Sequence, residues 1–119
     1  MKHTDLALAG EDEAARYLQG CGLRLLKRRY RCRAGEIDLI LQDGDVLVFA
    51  EVKTRKSTRC GRPWEAVDHR KIRKIATVAH WFLAETAQQH RTCRFDVVEV
   101  LGIGPENFRI SHFPDAFRL

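Results

Sequence analysis

Asp38, Glu51 and Lys53 stand inside a mostly apolar segment, residues 35–55, spaced as Asp-x12-Glu-x-Lys. Hydrolysis of a phosphodiester needs charge neutralisation at the phosphate, an activated water and stabilisation of a leaving alkoxide. Two convergent carboxylates can hold one or two divalent cations, Mg²⁺ or Mn²⁺, which polarise the phosphoryl oxygen and acidify a bound water. The carbonyl of Val52, if it lies at a strand end, can serve as a third oxygen ligand. A lysine beside the metal, Lys53, can orient or deprotonate the water. Glu13 is an outlying member of the set. As a bare pattern the spacing is only moderately specific, because Glu-x-Lys is common on strands.

The element that must position these groups is a hairpin. Two apolar runs flank Asp43-Gly44-Asp45, a turn signature. With Gly44-Asp45 as a two-residue turn, Asp43 opposes Val46. One face then carries Ile37, Leu39 and Leu41 against Val46, Val48, Ala50 and Val52, all apolar. The other face pairs Glu36 with Lys53, Asp38 with Glu51, and Ile40 with Phe49. A three-residue loop would set Glu51 opposite Ile37 and spoil the dry face, so the first register is expected. It puts two carboxylates opposite one another at about 5 Å between Cβ atoms, an arrangement that destabilises a sheet unless a cation compensates. Lys53 can be that cation, and so can a bound metal.

The 119 residues make one domain, with 45% hydrophobic and 31% charged residues, an ordinary globular composition. No run is long enough to span a membrane and no signal-peptide core is present, so a cytoplasmic protein with no membrane partner is expected. Net charge is +5 and unevenly placed: residues 24–74 carry 15 Lys/Arg against 7 Asp/Glu. This basic excess surrounds the hairpin and suits a polyanion, nucleic acid above all, although a solvated basic surface has the same composition. Cys21, Cys32, Cys60 and Cys93 are widely spaced with no Cys-x-x-Cys pair, and free thiols are expected.

Residues 5–21 read as a helix whose stripe is Gly10, Glu13, Ala14, Tyr17, Leu18 and Cys21, with Glu11 and Asp12 facing solvent. An inward Glu13 must be paired, protonated or metal-bound. The alternative is a rim residue paired with Arg16. Residues 23–30 form a strand of imperfect alternation. Arg28, Arg29, Tyr30, Arg31, Cys32 and Arg33 then approach the hairpin as a basic loop with one aromatic, suited to phosphate contact and base stacking. Otherwise Tyr30 simply caps the core edge. Residues 54–63, including Arg55, Lys56, Arg59 and Arg62, read as a polar loop placed to close over a bound backbone, or as a connection with no role. A second helix begins between Pro63 and Asp68 and runs to about Gln88, its stripe being Ile72, Ile75, Ala76, Ala79, Phe82 and Leu83. Arg70, Lys71, Arg73 and Lys74 in its first turns oppose the helix dipole, which is weak evidence of phosphate contact. His80 and Trp81 read as packing residues. Residues 92–101 and 108–113 are two further strands, and Asp96 and Glu99 read as edge or solvent groups. The order is α-β-β-β-α-β-β, a mixed sheet flanked by helices.

Gly35-Glu36-Ile37-Asp38-Leu39-Ile40 and Phe49-Ala50-Glu51-Val52-Lys53-Thr54-Arg55 resemble the signature of the YraN-like family of small bacterial proteins. Tyr30-Arg31, Gly61-x-Pro63-x-Glu65-Ala66-Val67, Lys71 and Arg94-Phe95-Asp96-Val97-Val98 are similar too, so the resemblance spans nearly the whole chain. That family is related to the PD-(D/E)xK nucleases and resembles archaeal Holliday junction resolvases. The resemblance implies a restriction-endonuclease-like α/β fold, Asp38 and Glu51 as metal ligands, Lys53 as the catalytic lysine, and Glu13 as the helical glutamate that resolvases place near the metal. Resolvases act as dimers, so it also implies a homodimer. Arg29 stands where the family usually has asparagine, and Cys60 where it has an aromatic. The expectation is a metal-dependent DNA endonuclease, with branched or damaged DNA as candidate substrates. The alternatives are a nucleic-acid-binding module without cleavage and a protein whose basic surface meets an acidic partner.

Overall fold

A computed structural model describes residues 3–56, 69–104 and 107–117. Helix α1 spans His3–Gly20, and strands β1, β2 and β3 span Arg24–Cys32, Gly35–Asp43 and Val46–Arg55. Helix α2 is His69–Glu85, followed by β4, Cys93–Gly104, and β5, Asn107–Phe117. The five strands lie in sequence order. Only β3 and β4 run parallel, and α2 connects them; the other neighbours are antiparallel. This is the expected α/β architecture, a mixed sheet with a helix on each face. The expected start of α2 before Asp68, and with it Arg59, Cys60 and Arg62, lies outside the described residues.

The β2–β3 ladder has the register derived from the apolar pattern, running from Asp43 opposite Val46 to Leu39 opposite Ala50. Gly44 supplies the positive φ, 58°, that matches a two-residue turn to the twist of the strands. Leu39, Leu41, Val48 and Ala50 form one dry face with Val98 and Val100, under Ala14, Ala15 and Leu18 of α1. Ile40, Leu47, Phe49, Phe95 and Val97 form the other, under Ile75, Val78, Ala79, Phe82 and Leu83 of α2. Ile37 departs from expectation. It packs with the α2 cluster, not with Leu39 and Leu41, so strand alternation breaks next to Asp38. Glu36 opposes Arg31 of β1 and is ion-paired with it, not with Lys53.

Helix α1 is rotated by about one residue from the expected stripe. Its buried residues are Leu6, Gly10, Glu11, Ala14, Ala15 and Leu18, whereas Tyr17 is exposed and meets His112 edge-on at the rim. Close approach sets this phase. A Cβ built on Gly10 would lie 2.1 Å from Thr54 Oγ1 and 2.9 Å from Thr54 Cβ, so α1 crosses the end of β3 at backbone distance.

Further expectations are corrected. The basic loop expected over residues 28–33 is strand as far as Cys32, the second half of β1. The irregular alternation of β1 comes from a register shift between Leu25 and Lys27, a bulge that leaves Leu26 exposed. Asp96 is fully buried, not an edge group. It accepts hydrogen bonds from Arg94 Nε (2.9 Å) and Nη2 (3.1 Å) and from the Asp115 backbone N–H (2.9 Å), and its Oδ2 is 2.8 Å from His112 Nε2. Burial alone would raise its pKa, but these contacts hold the carboxyl below the ordinary range. His80 and Trp81 are exposed and line a shallow groove on the outside of α2 with Thr77 and Ala84. Cys21, Cys32 and Cys93 are free thiols, as expected. Among the described residues, no helix is long and apolar enough to cross a membrane.

Candidate functional site

The site lies where β2 and β3 part. Beyond Leu39 and Ala50 the backbone ladder ends, and Asp38 Oδ2 accepts a hydrogen bond from Val52 N–H at 2.8 Å. A side chain thus takes the place of a strand carbonyl. In a strand the N–H and C=O of one residue face the same neighbour, so the Val52 carbonyl opens onto the same gap. Ala7, Glu11, Asp38, Val52, Lys53 and Thr54 line a cleft there of about 220 Å³. The expected direct opposition of Asp38 and Glu51 is replaced by this splayed junction.

Glu51 lies on the α2 side of the same junction, buried to 6% of its surface, with Lys71 Nζ 3.6 Å from its Oε2. Burial and, next, the Asp38 charge push its carboxyl up to about 7, against the opposing pull of Lys71 and Lys53. Asp38 is raised as well, by burial first, partly offset by the Val52 hydrogen bond, while Glu11 and Glu36 add to the rise. Lys53 is lowered by burial and then by Lys71 beside it, with Glu51 and Asp38 pulling the other way. Asp38, Glu51, Lys53 and Lys71 therefore form one electrostatic unit. Its acids contrast with Asp96, which short donors satisfy completely enough to hold it ionised.

Glu13 is not part of this unit. It turns outward and pairs with Arg16, as the rim alternative had it. Glu11 takes the inward place, 8% exposed and lining the Asp38 cleft. The helix signal that misplaced the two acids counted Tyr17 and Cys21 as core. Leu6 and Ala15, with Leu18, would have indicated the correct phase. Arg28 Nη2 reaches Glu11 at 3.2 Å and Asp12 at 2.5 Å, and Arg29 Nε reaches Glu11 at 3.0 Å. Arg29 does this from a left-handed backbone, φ 49°, a conformation that asparagine adopts more readily than arginine.

These pairings revise the expected nucleic-acid surface. Tyr30 is buried, edge-on to Phe82 at 5.3 Å, with burial as the main cause pushing its hydroxyl up to about 12; it is a core residue, not a stacking platform. Arg28 and Arg29 serve Glu11, Arg31 serves Glu36, and Arg55 stands 3.9 Å from Glu99. Arg33, Lys56, Arg70 and Lys74 are solvent-facing, and Lys74 lies with Arg31 along the β1–β2 turn at Gly35.

Among the described residues, no three His, Cys, Asp or Glu side chains converge as a ready metal cage. The donor set is two carboxylates and a backbone carbonyl. Hard oxygen donors in that number suit Mg²⁺ or Mn²⁺, since Mg²⁺ keeps several waters and takes one or two carboxylates. The raised pKa values of Asp38 and Glu51 fit a cation there, while Glu11 is held by Arg28 and Arg29 at the edge of the same cleft.

The class defined so far is a small α/β protein carrying an acid pair and a lysine pair where two central strands separate. The profile of the family described as "Uncharacterised protein family UPF0102" matches residues 10–100, and the chain belongs to that family. Similar relatives include a UPF0102 protein of Symbiobacterium thermophilum, 53% identical over 92 residues, 77% of this chain and 78% of the relative. Another, of Frankia casuarinae, is 46% identical over 108 residues, covering 91% and 92%. A third, of Syntrophus aciditrophicus, is 44% identical over 110 residues, covering 92% and 86%.

Proposed function

We propose that this protein is a metal-dependent endonuclease that hydrolyses DNA phosphodiester bonds, on a fold of the restriction-endonuclease-like, PD-(D/E)xK kind. The observation that carries the reading is the junction of β2 and β3, where half-buried Asp38, bonded by the Val52 N–H, and buried Glu51, faced by Lys71, are both raised in pKa, by burial first and, for Glu51, by the Asp38 charge next. A purely structural acid in this same sheet, Asp96, is treated in the opposite way. Acids shifted in this way by burial and a neighbouring charge cluster at functional sites.

Asp38, Glu51 and the Val52 carbonyl would hold the metal, with Glu11 in place of the expected Glu13 nearby. Bound there, Mg²⁺ or Mn²⁺ supplies Lewis acidity toward a phosphoryl oxygen and lowers the pKa of a bound water. Lys53, with its ammonium form disfavoured by burial and by Lys71, is placed to hold or accept a proton from that water. Arg33, Lys56, Arg70, Lys71 and Lys74 supply the cationic approach for the DNA backbone. Branched or damaged DNA and a homodimer are the parts of the proposal that rest on the resemblance to junction resolvases.

A second reading, a nucleic-acid-binding module without cleavage, has one observation in its favour: Lys71 already stands on Glu51. The purified protein, with Mg²⁺ or Mn²⁺, should cut linear, supercoiled or four-way-junction DNA, and Glu51→Ala and Lys53→Ala should not. Cleavage that persists in both variants reveals a contaminant and removes the assignment. Salt-sensitive binding without metal-dependent cleavage selects the second reading, and no binding to any nucleic acid leaves an acidic protein partner.

A further inference from the structure

We infer that Lys71 is the built-in counter-cation of the acid pair, held there until a divalent metal displaces it toward the phosphate of a bound substrate. This rests on the metal centre proposed above and assigns a positioning role to a residue that sequence places only among backbone-binding cations.

Three observations carry it. The Lys71–Glu51 contact, 3.6 Å, is an ion-pair distance and not a short hydrogen bond, unlike the contacts of 2.8 to 3.1 Å that fix Asp96. Exposure is lopsided: the Glu51 side chain is 8% accessible and that of Lys71 37%. The acid is thus locked in the sheet, while the lysine reaches it from the rim of α2 on a flexible four-carbon stem. Finally, Lys53 stands against Lys71, so two ammonium groups already crowd one acid pair. A divalent ion between Asp38 and Glu51 would repel both. Lys53 is tethered to β3, two residues from Glu51, whereas Lys71 is tethered to a separate helix. Lys71 is therefore the one that moves, and the first turns of α2, with Arg70 and Lys74, set it toward an incoming phosphate.

The test is direct metal binding by the full chain, without DNA. Mn²⁺ is titrated and free ion counted by electron paramagnetic resonance for wild type, Lys71→Met, Lys71→Arg and Asp38→Asn. Removing a competing cation should tighten Mn²⁺ binding about two- to fivefold in Lys71→Met, the scale of a partly exposed ion pair. Lys71→Arg should stay near wild type because it keeps the charge, and Asp38→Asn should lose the site. Thermal melts of the variants confirm that each is folded, and Lys71→Gln replaces Lys71→Met if the latter is not. Lys71→Met should also bind duplex DNA more weakly in the presence of Mn²⁺ than in EDTA, relative to wild type. Equal or weaker Mn²⁺ binding by Lys71→Met overturns the displacement idea while leaving the metal centre intact. No Mn²⁺ binding by wild type or Lys71→Met removes the metal centre, and the displacement idea with it.

Discussion

Replacing Glu51 by glutamine should stabilise the metal-free protein above neutral pH while removing its proposed activity. The Glu51 carboxyl is moved from 4.5 to about 7, by burial first and by Asp38 second. At about 1.4 kcal/mol per pKa unit, the ionised carboxylate then costs the folded state about 3 kcal/mol. The folded protein holds this proton more tightly than the unfolded chain, so between pH 4.5 and about 7 it binds more protons. Stability from this group is therefore present below 4.5 and is lost as pH rises through about 7. Glutamine has no charge to lose. The stability of Glu51→Gln relative to wild type should climb across this window, towards about 3 kcal/mol, a figure that already includes the attraction to Lys71. Urea midpoints in EDTA at about pH 5 and about pH 8.5 measure it, because the difference between the two proteins cancels the titrating groups outside the unit of Asp38, Lys53 and Lys71. In a domain of this size, about 3 kcal/mol corresponds to roughly 12 °C in Tm. Millimolar Mg²⁺ should raise the wild-type melting temperature at the higher pH and leave the variant unmoved. A variant less stable than wild type at about pH 8.5 in EDTA would refute the claim that burial and the Asp38 charge raise the Glu51 carboxyl.

Gly10→Ala should destabilise the protein by about 1–3 kcal/mol despite the better helix propensity of alanine, because its methyl collides with Thr54. Combining it with Thr54→Gly should recover most of the loss in a double-mutant cycle of thermal melts. Asp96→Ala should cost about 3–5 kcal/mol by removing the acceptor shared by Arg94 Nε and Nη2 and the Asp115 N–H, whereas Glu13→Ala on the rim should stay within about 0.5 kcal/mol. Because the Asp96 pKa is lowered, its contribution is present above the unfolded carboxylate range and fades as pH falls through the folded value, a loss that acid titration of the variant would lack. Lys74→Ala should weaken DNA binding and reduce the salt slope by about 0.9, one phosphate contact, while Tyr30→Phe should leave DNA affinity unchanged.

The hairpin was legible because its information is local. Period-two alternation and one glycine that accepts positive φ are enough to choose between two registers, and that choice sets Asp38, Glu51 and Lys53 within a few residues of one turn. The rest of the site arrives from elements distant in sequence. Glu11 and Glu13 differ by half a turn of helix, and which one faces the sheet depends on the contact between Gly10 and Thr54. Asp96 looked like a solvent acid because its partners, His112 and Asp115, lie on another strand. Arginines 28 and 29 looked free for phosphate because their acidic partners sit on α1, 16 to 18 residues earlier.

Sequence alone determined the element order and the turn at residues 44 and 45, since each follows from spacing along the chain. Tertiary structure decided that β2 and β3 separate at Asp38, that Glu11 and not Glu13 lines the cleft, and that Lys71 meets Glu51. Helix phase and strand splaying are set by packing between elements, and one-dimensional periodicity carries no record of which neighbour a residue will meet.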